Sequence, residues 1–111
     1  MLLTGYLLYN LQGLLEIDGL RQRGSTMNFL HYEVDAGPSN TIQVTLENPA
    51  NVRLLDGTNF QKYTSGEQHR YFGGLADASP INLRPPHAGH WHVVIDLGGY
   101  SGTVRAWVQV L

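Results

Sequence analysis

The sequence predicts an all-β domain, a small antiparallel β-sandwich or jelly-roll-like barrel with at most a short helical turn, and three observations lead there. Thirteen glycines and five prolines in 111 residues suit short strands and tight turns and exceed what a helical bundle tolerates. Apolar and polar residues alternate with period two in several short runs from Met27 onward, the pattern of half-buried strands. Finally, the chain closes on two such runs, Trp91–Leu97 and Val104–Val110, joined through Gly98-Gly99-Tyr100-Ser101-Gly102-Thr103, which has hairpin composition.

In chain order, Phe29–Asp35 reads as a first strand of this domain, stopped by Gly37-Pro38. In Thr41–Glu47, Ile42, Val44 and Leu46 alternate with polar neighbours. Asn48-Pro49 supplies a turn, and Val52 and Leu54 resume the alternation. Between Asp56 and Pro80, Phe60 and Tyr63 stand three apart, so one helical turn puts both on one face, and Gly66 is placed to end it. Tyr71-Phe72-Gly73-Gly74 reads as a strand ending in a bend, and Ile81 with Leu83 as another strand stopped by Pro85-Pro86. In the final pair, Trp91, Val93, Ile95 and Leu97 share one face, as do Val104, Ala106, Val108 and Val110. Pairing Leu97 with Val104 keeps both faces together and sets Asp96 opposite Arg105.

Residues 1–26 differ from the rest and form an extension or leader, helical or irregular. Leu2, Leu3, Leu7, Leu11, Leu14 and Leu15 fit a helical stripe, which Gly5, Gly13 and Gly19 weaken. No basic residue precedes the apolar run as a signal peptide requires, and Asn10, Gln12 and Glu16 break it short of a membrane span. A leader ahead of a natural start at Met27 is one expectation and a docking helix or arm the other, with a single domain over residues 27–111.

Composition removes several classes of function. Seven basic and nine acidic residues give a formal charge of -2 without blocks of one sign, so neither nucleic acid nor an anionic membrane is an expected partner. The absence of cysteine excludes disulfides, thiolate metal sites and a cysteine nucleophile. Ser65, Ser79 and Ser101 lie outside any Gly-x-Ser-x-Gly motif, and no glycine loop has phosphate-binding spacing. The reading therefore favours a cytoplasmic protein that is not an enzyme and carries no cofactor.

Two features carry candidate chemistry. In His87-Ala88-Gly89-His90-Trp91-His92, a strand places His90, His92 and Asp96 on the face opposite Trp91. Imidazoles at i and i+2 chelate divalent metals, so His87, His90, His92 and Asp96 form an alternative metal set. The His-x-His spacing is similar to that of cupins, but Arg84 stands where their pattern has glycine, and no histidine follows Asp96. The favoured structural explanation is a wet outer face on which Asp96 pairs with Arg105. The second feature is Trp107, directed outward beside Arg105, an arrangement common in binding anchors. Cover by residues 1–26, by another sheet or by a second subunit is the competing reading.

Asn51-Val52-Arg53-Leu54, Thr58-Asn59-Phe60-x-x-Tyr63, Tyr71-Phe72-Gly73-Gly74 and Gly89-His90-Trp91-His92-Val93-Val94-Ile95-Asp96-Leu97-Gly98-Gly99 together resemble an uncharacterised bacterial family, the domain of unknown function 1883. The resemblance begins at Met27-Asn28-Phe29-Leu30-His31. It implies a compact β-rich domain, found alone or joined to Toll/interleukin-receptor-type domains, and supplies no activity, ligand or catalytic residue. The expected function is thus a non-catalytic binding or interaction module for a protein or small ligand, with Trp107, Arg105, His90, His92 and Asp96 as its surface. The alternatives are a divalent-metal protein or metal-dependent enzyme using His87, His90 and His92, and a homodimerising structural domain.

Overall fold

The computed structural model describes residues 10–17 and 28–111. Among these described residues, eight strands and one helix follow in the order β1 (Asn10–Ile17), β2 (Phe29–Ala36), β3 (Ile42–Leu46), β4 (Ala50–Leu55), α1 (Gly57–Thr64), β5 (Phe72–Ala76), β6 (Ile81–Leu83), β7 (Gly89–Asp96) and β8 (Gly102–Val110). They make two four-stranded antiparallel sheets, ordered β1-β8-β3-β6 and β2-β7-β4-β5. Within the sheets β1 pairs with β8, β2 with β7, β3 with β6 and β4 with β5. That nesting is the order of a jelly roll, with two separate sheets in place of a closed barrel.

The alternating faces meet between the sheets. Val34, Val52, Leu54, Trp91, Val93 and Ile95 from one sheet bury against Ile42, Val44, Val104, Ala106 and Val108 from the other. A second, smaller apolar layer lies on the outside of the β7 sheet. There Leu55, Val94 and Tyr63 are buried together, with Phe29 and Phe60 packed against them. The predicted helical turn is thus a two-turn helix that covers this outer face with Phe60 and Tyr63. Asp56 caps it, its Oδ1 accepting from the backbone N–H of Asn59 at 2.8 Å. Gly66, at φ 77°, turns the chain out of the helix and donates to the Tyr63 carbonyl at 3.2 Å.

Two expectations are corrected. β7 and β8 do not form a hairpin: each lies in the middle of a different sheet, and the link between them crosses from one sheet to the other. Gly98 and Gly99, at φ 65° and 87°, take conformations that L side chains rarely adopt. The two apolar faces do meet, across the sandwich instead of side by side, because alternation specifies an inward face and not a neighbour. Asp96 therefore stands opposite Phe29 and Asn51, and Arg105 opposite Leu14. The helical stripe proposed for the N-terminal leucines is also replaced over Asn10–Ile17, which is strand β1 along the edge of β8. The rest of that segment, with the expected start at Met27, lies outside the described residues.

The strand at Tyr71–Gly74 runs on to Ala76 without ending at the glycines. Gly73 is needed there: at φ 110°, a Cβ would stand 2.3 Å from the Val52 carbonyl oxygen.

Candidate functional site

The residues singled out from sequence separate onto two sides of the sandwich. Trp107 is half-buried on the outer face of the β8 sheet, opposite Thr45 and Gln12 in register. Arg105, on the same face, has Glu47 at 4.0 Å with both side chains about half exposed. His90, His92 and Asp96 lie on the outer face of the other sheet. His87 belongs to neither group; its ring packs 4.9 Å from that of Trp91. The expected single surface and the alternative four-residue metal set are therefore not assembled.

Asp96 is instead a buried structural carboxylate, 2% exposed. Its Oδ1 accepts from Asn51 Nδ2 at 2.9 Å and the Gly98 backbone at 2.8 Å. Its Oδ2 accepts from the Tyr63 hydroxyl at 2.6 Å and from Arg53 Nη1. Burial first, then the hydrogen bond and the charge of Asp96, push the Tyr63 phenol far above its ordinary range. The proton stays on Tyr63, and α1 is tied to β7 by a charge-assisted bond.

Beside this network, β2 and β7 bring together a polar cluster through their register: Glu33 stands opposite His92 and Asp35 opposite His90. His90 Nδ1 lies 2.8 Å from Asp35 Oδ1, and its Nε2 lies 2.7 Å from Glu33 Oε1. His31 Nε2 and His92 Nδ1 share a hydrogen bond of 2.8 Å. Phe60 lies over both rings, with centroids 4.2 and 4.4 Å away and planes within 16° and 2° of its own. Sequence reasoning found His90 and His92 and missed His31, Glu33 and Asp35. The available signal was the His31-x-Glu33-x-Asp35 alternation, which puts three polar groups on one strand face.

Burial is the main cause holding both His31 and His92 below the usual histidine pKa; for His92 the neighbouring His31 adds to it. Hydrogen bonds to Asp35 and then Glu33 raise that of exposed His90. The signs oppose. For His31 and His92 the unfolded chain takes up protons first, so their contribution to stability is present above about pH 6.5 and is lost as pH falls through their folded values. The His90 contribution is present below about pH 6.5 and lost as pH rises through its folded value, and salt screens it. Metal-free protein in high salt is therefore expected to melt at lower temperature at pH 5 than at pH 7. His31→Gln should make that drop shallower in circular dichroism melts; an equal drop would put its origin elsewhere.

A separate groove opens between α1, β5 and the segment before β7, with a volume of about 560 Å³. Tyr71 and Phe72 stand at it 43% and 48% exposed. Leu54, Trp91, Pro86 and His87 supply further apolar or ring surface, and Asp56, Asn59, His69 and Arg70 its polar groups. His69 Nδ1 lies 2.9 Å from the Glu67 carbonyl oxygen, so Nδ1 is the donor, while Nε2 is buried without a partner among the described residues. Nothing in the primary sequence announced this groove, because its walls come from segments that no motif connects.

No helix among the described residues is long and apolar enough to cross a membrane. No curated protein and no solved structure matches the chain. Residues 27–111 match the model of a family described as a domain of unknown function (DUF1883), in agreement with the resemblance carried by its strand motifs, and the chain belongs to that family.

Proposed function

We propose that the domain is a non-catalytic binding module of the bacterial cytoplasm, and that it takes a small molecule with a flat apolar part in the groove at Tyr71 and Phe72. The observation that carries this reading is the groove itself. Its volume, about 560 Å³, lies in the range of small-molecule sites, and two aromatic side chains stand exposed where few apolar groups need be. Its polar groups favour holding a ligand over transforming one. Asp56 is committed to capping α1, Asn59 Oδ1 accepts from the Arg70 backbone at 2.8 Å, and among the described residues no serine, threonine, cysteine or lysine lines the groove. A cysteine-free core that needs no oxidising compartment is consistent with the cytoplasm.

Trp91 lines the groove and Trp107 lies on the other sheet, so fluorescence of a Trp107→Phe protein reports on the groove. Titration with indole-3-acetate, adenosine and methyl glucoside is expected to give a saturable change with at least one probe. Phe72→Ala should weaken it at least about tenfold, or about 1.4 kcal/mol, with an unchanged circular dichroism spectrum. Absence of saturation by any probe at about 1 mM, or full affinity in Phe72→Ala, would reject the groove as the site.

A further inference from the structure

We propose that Glu33, His90 and His92 form a divalent transition-metal site, independent of the groove, with zinc as its best-matched ion. Each residue offers one ligand atom, and the three atoms lie within 4.8 Å of one another. A tetrahedral zinc ion with bonds of about 2.0–2.1 Å holds its ligand atoms about 3.4 Å apart. Closing the set therefore takes side-chain rotation of about 1 Å on strands that stay in register. Two imidazoles and a carboxylate are a borderline donor set, suited to zinc, nickel or cobalt and poorly suited to calcium or magnesium.

What distinguishes this cluster from chance neighbours is the second partner of each histidine. His90 presents Nε2 towards Glu33, while its Nδ1 is held by Asp35 at 2.8 Å. His92 has Nδ1 held by His31 at 2.8 Å, which leaves Nε2 for an ion. One nitrogen towards the metal and the other fixed by a neighbour is how metal-bound histidines are oriented. Phe60, stacked on His31 and His92, limits the rotation of both rings. Glu33 and His90 are about half exposed, at 54% and 51%, so the site opens to solvent and leaves a fourth position for water or an external ligand. On binding, the ion replaces the proton shared by His90 and Glu33, which passes to solvent.

Full-length chain, stripped with chelator, is titrated calorimetrically with zinc chloride, and cobalt(II) absorption reports the coordination geometry. The expected result is one equivalent bound with Kd below about 100 μM and a tetrahedral cobalt spectrum. Glu33→Gln and His90→Ala, both surface changes, should each weaken binding at least tenfold. Asp35→Asn should weaken it about tenfold or more through His90, and His87→Ala should leave it unchanged. Binding no tighter than about 100 μM overturns the proposal. So does wild-type affinity in Glu33→Gln, or a loss in His87→Ala as large as in His90→Ala, which marks an adventitious ion only.

Discussion

Asp96→Ala is expected to lower stability by about 3–5 kcal/mol, the range for breaking a buried ion pair by removing one partner. The change strips the acceptor from Asn51, Arg53, Tyr63 and the Gly98 backbone at once. Arg53 is only 19% exposed, so its guanidinium would be left largely buried without its counter-charge. Its Nε already has no hydrogen-bond partner among the described residues. At about 4–8 °C per kcal/mol for a domain of this size, the melting temperature should fall by more than about 10 °C. Tyr63→Phe separates the contributions, because it keeps the ring against Leu55 and Val94 and removes one bond to a charged acceptor, worth about 1.5–3 kcal/mol. Asp96→Asn should behave nearly like alanine, since one of its two atoms becomes a donor facing other donors. If thermal melts show Asp96→Ala within about 1 kcal/mol of wild type, the network does not hold α1 to the sheet.

The role of Asp96 shows where sequence reasoning succeeded and where it could not. Period two placed Asp96 on the face opposite Trp91 and Val93, and the structure agrees. Its partner was misassigned because Arg105 was reached through a presumed hairpin, whereas Arg53 comes from β4, which lies beside β7. Alternation gives each strand an inside and an outside, so Ile42, Val44, Val93, Ile95, Val104 and Val108 were legible as core. It contains no information on strand order in a jelly roll, whose neighbours β1 and β8, or β2 and β7, lie far apart in sequence. The polar cluster suffered for the same reason. His90 and His92 are adjacent in their own strand, but Glu33 and Asp35 join them only through the β2–β7 register. The helix was legible because its signal is local: the Phe60–Tyr63 spacing and Gly66 lie within one short segment. Trp107 and the histidines share a strand-period argument and yet occupy opposite outer faces, because their strands belong to different sheets.

Trp91→Ala should be the most damaging single truncation on the inner face of β7, costing about 3–5 kcal/mol. Trp91 is 2% exposed and lies in the main core, where Val93 and Ile95 follow it on the same face. Its ring also meets Phe72 edge-on at 6.3 Å and His87 at 4.9 Å. Its indole N–H donates to the His87 carbonyl at 3.2 Å. Alanine would remove the ring and leave that carbonyl without its donor, and flanking strands paired on both sides of β7 limit how far the backbone can close the cavity. Urea unfolding should show a lower midpoint with an unchanged slope, the signature of lost stability in a state of equal compactness. Trp91→Phe should retain most of the packing and lose the hydrogen bond, about 1 kcal/mol, plus the volume difference. A cost below about 1 kcal/mol for the alanine variant would mean that the ring is not a core element. Because Trp91 both fills the core and lines the groove, its removal cannot distinguish lost binding from lost fold. Phe72, nearly half exposed, makes that distinction, since its truncation alters the groove while the Trp91 core remains in place.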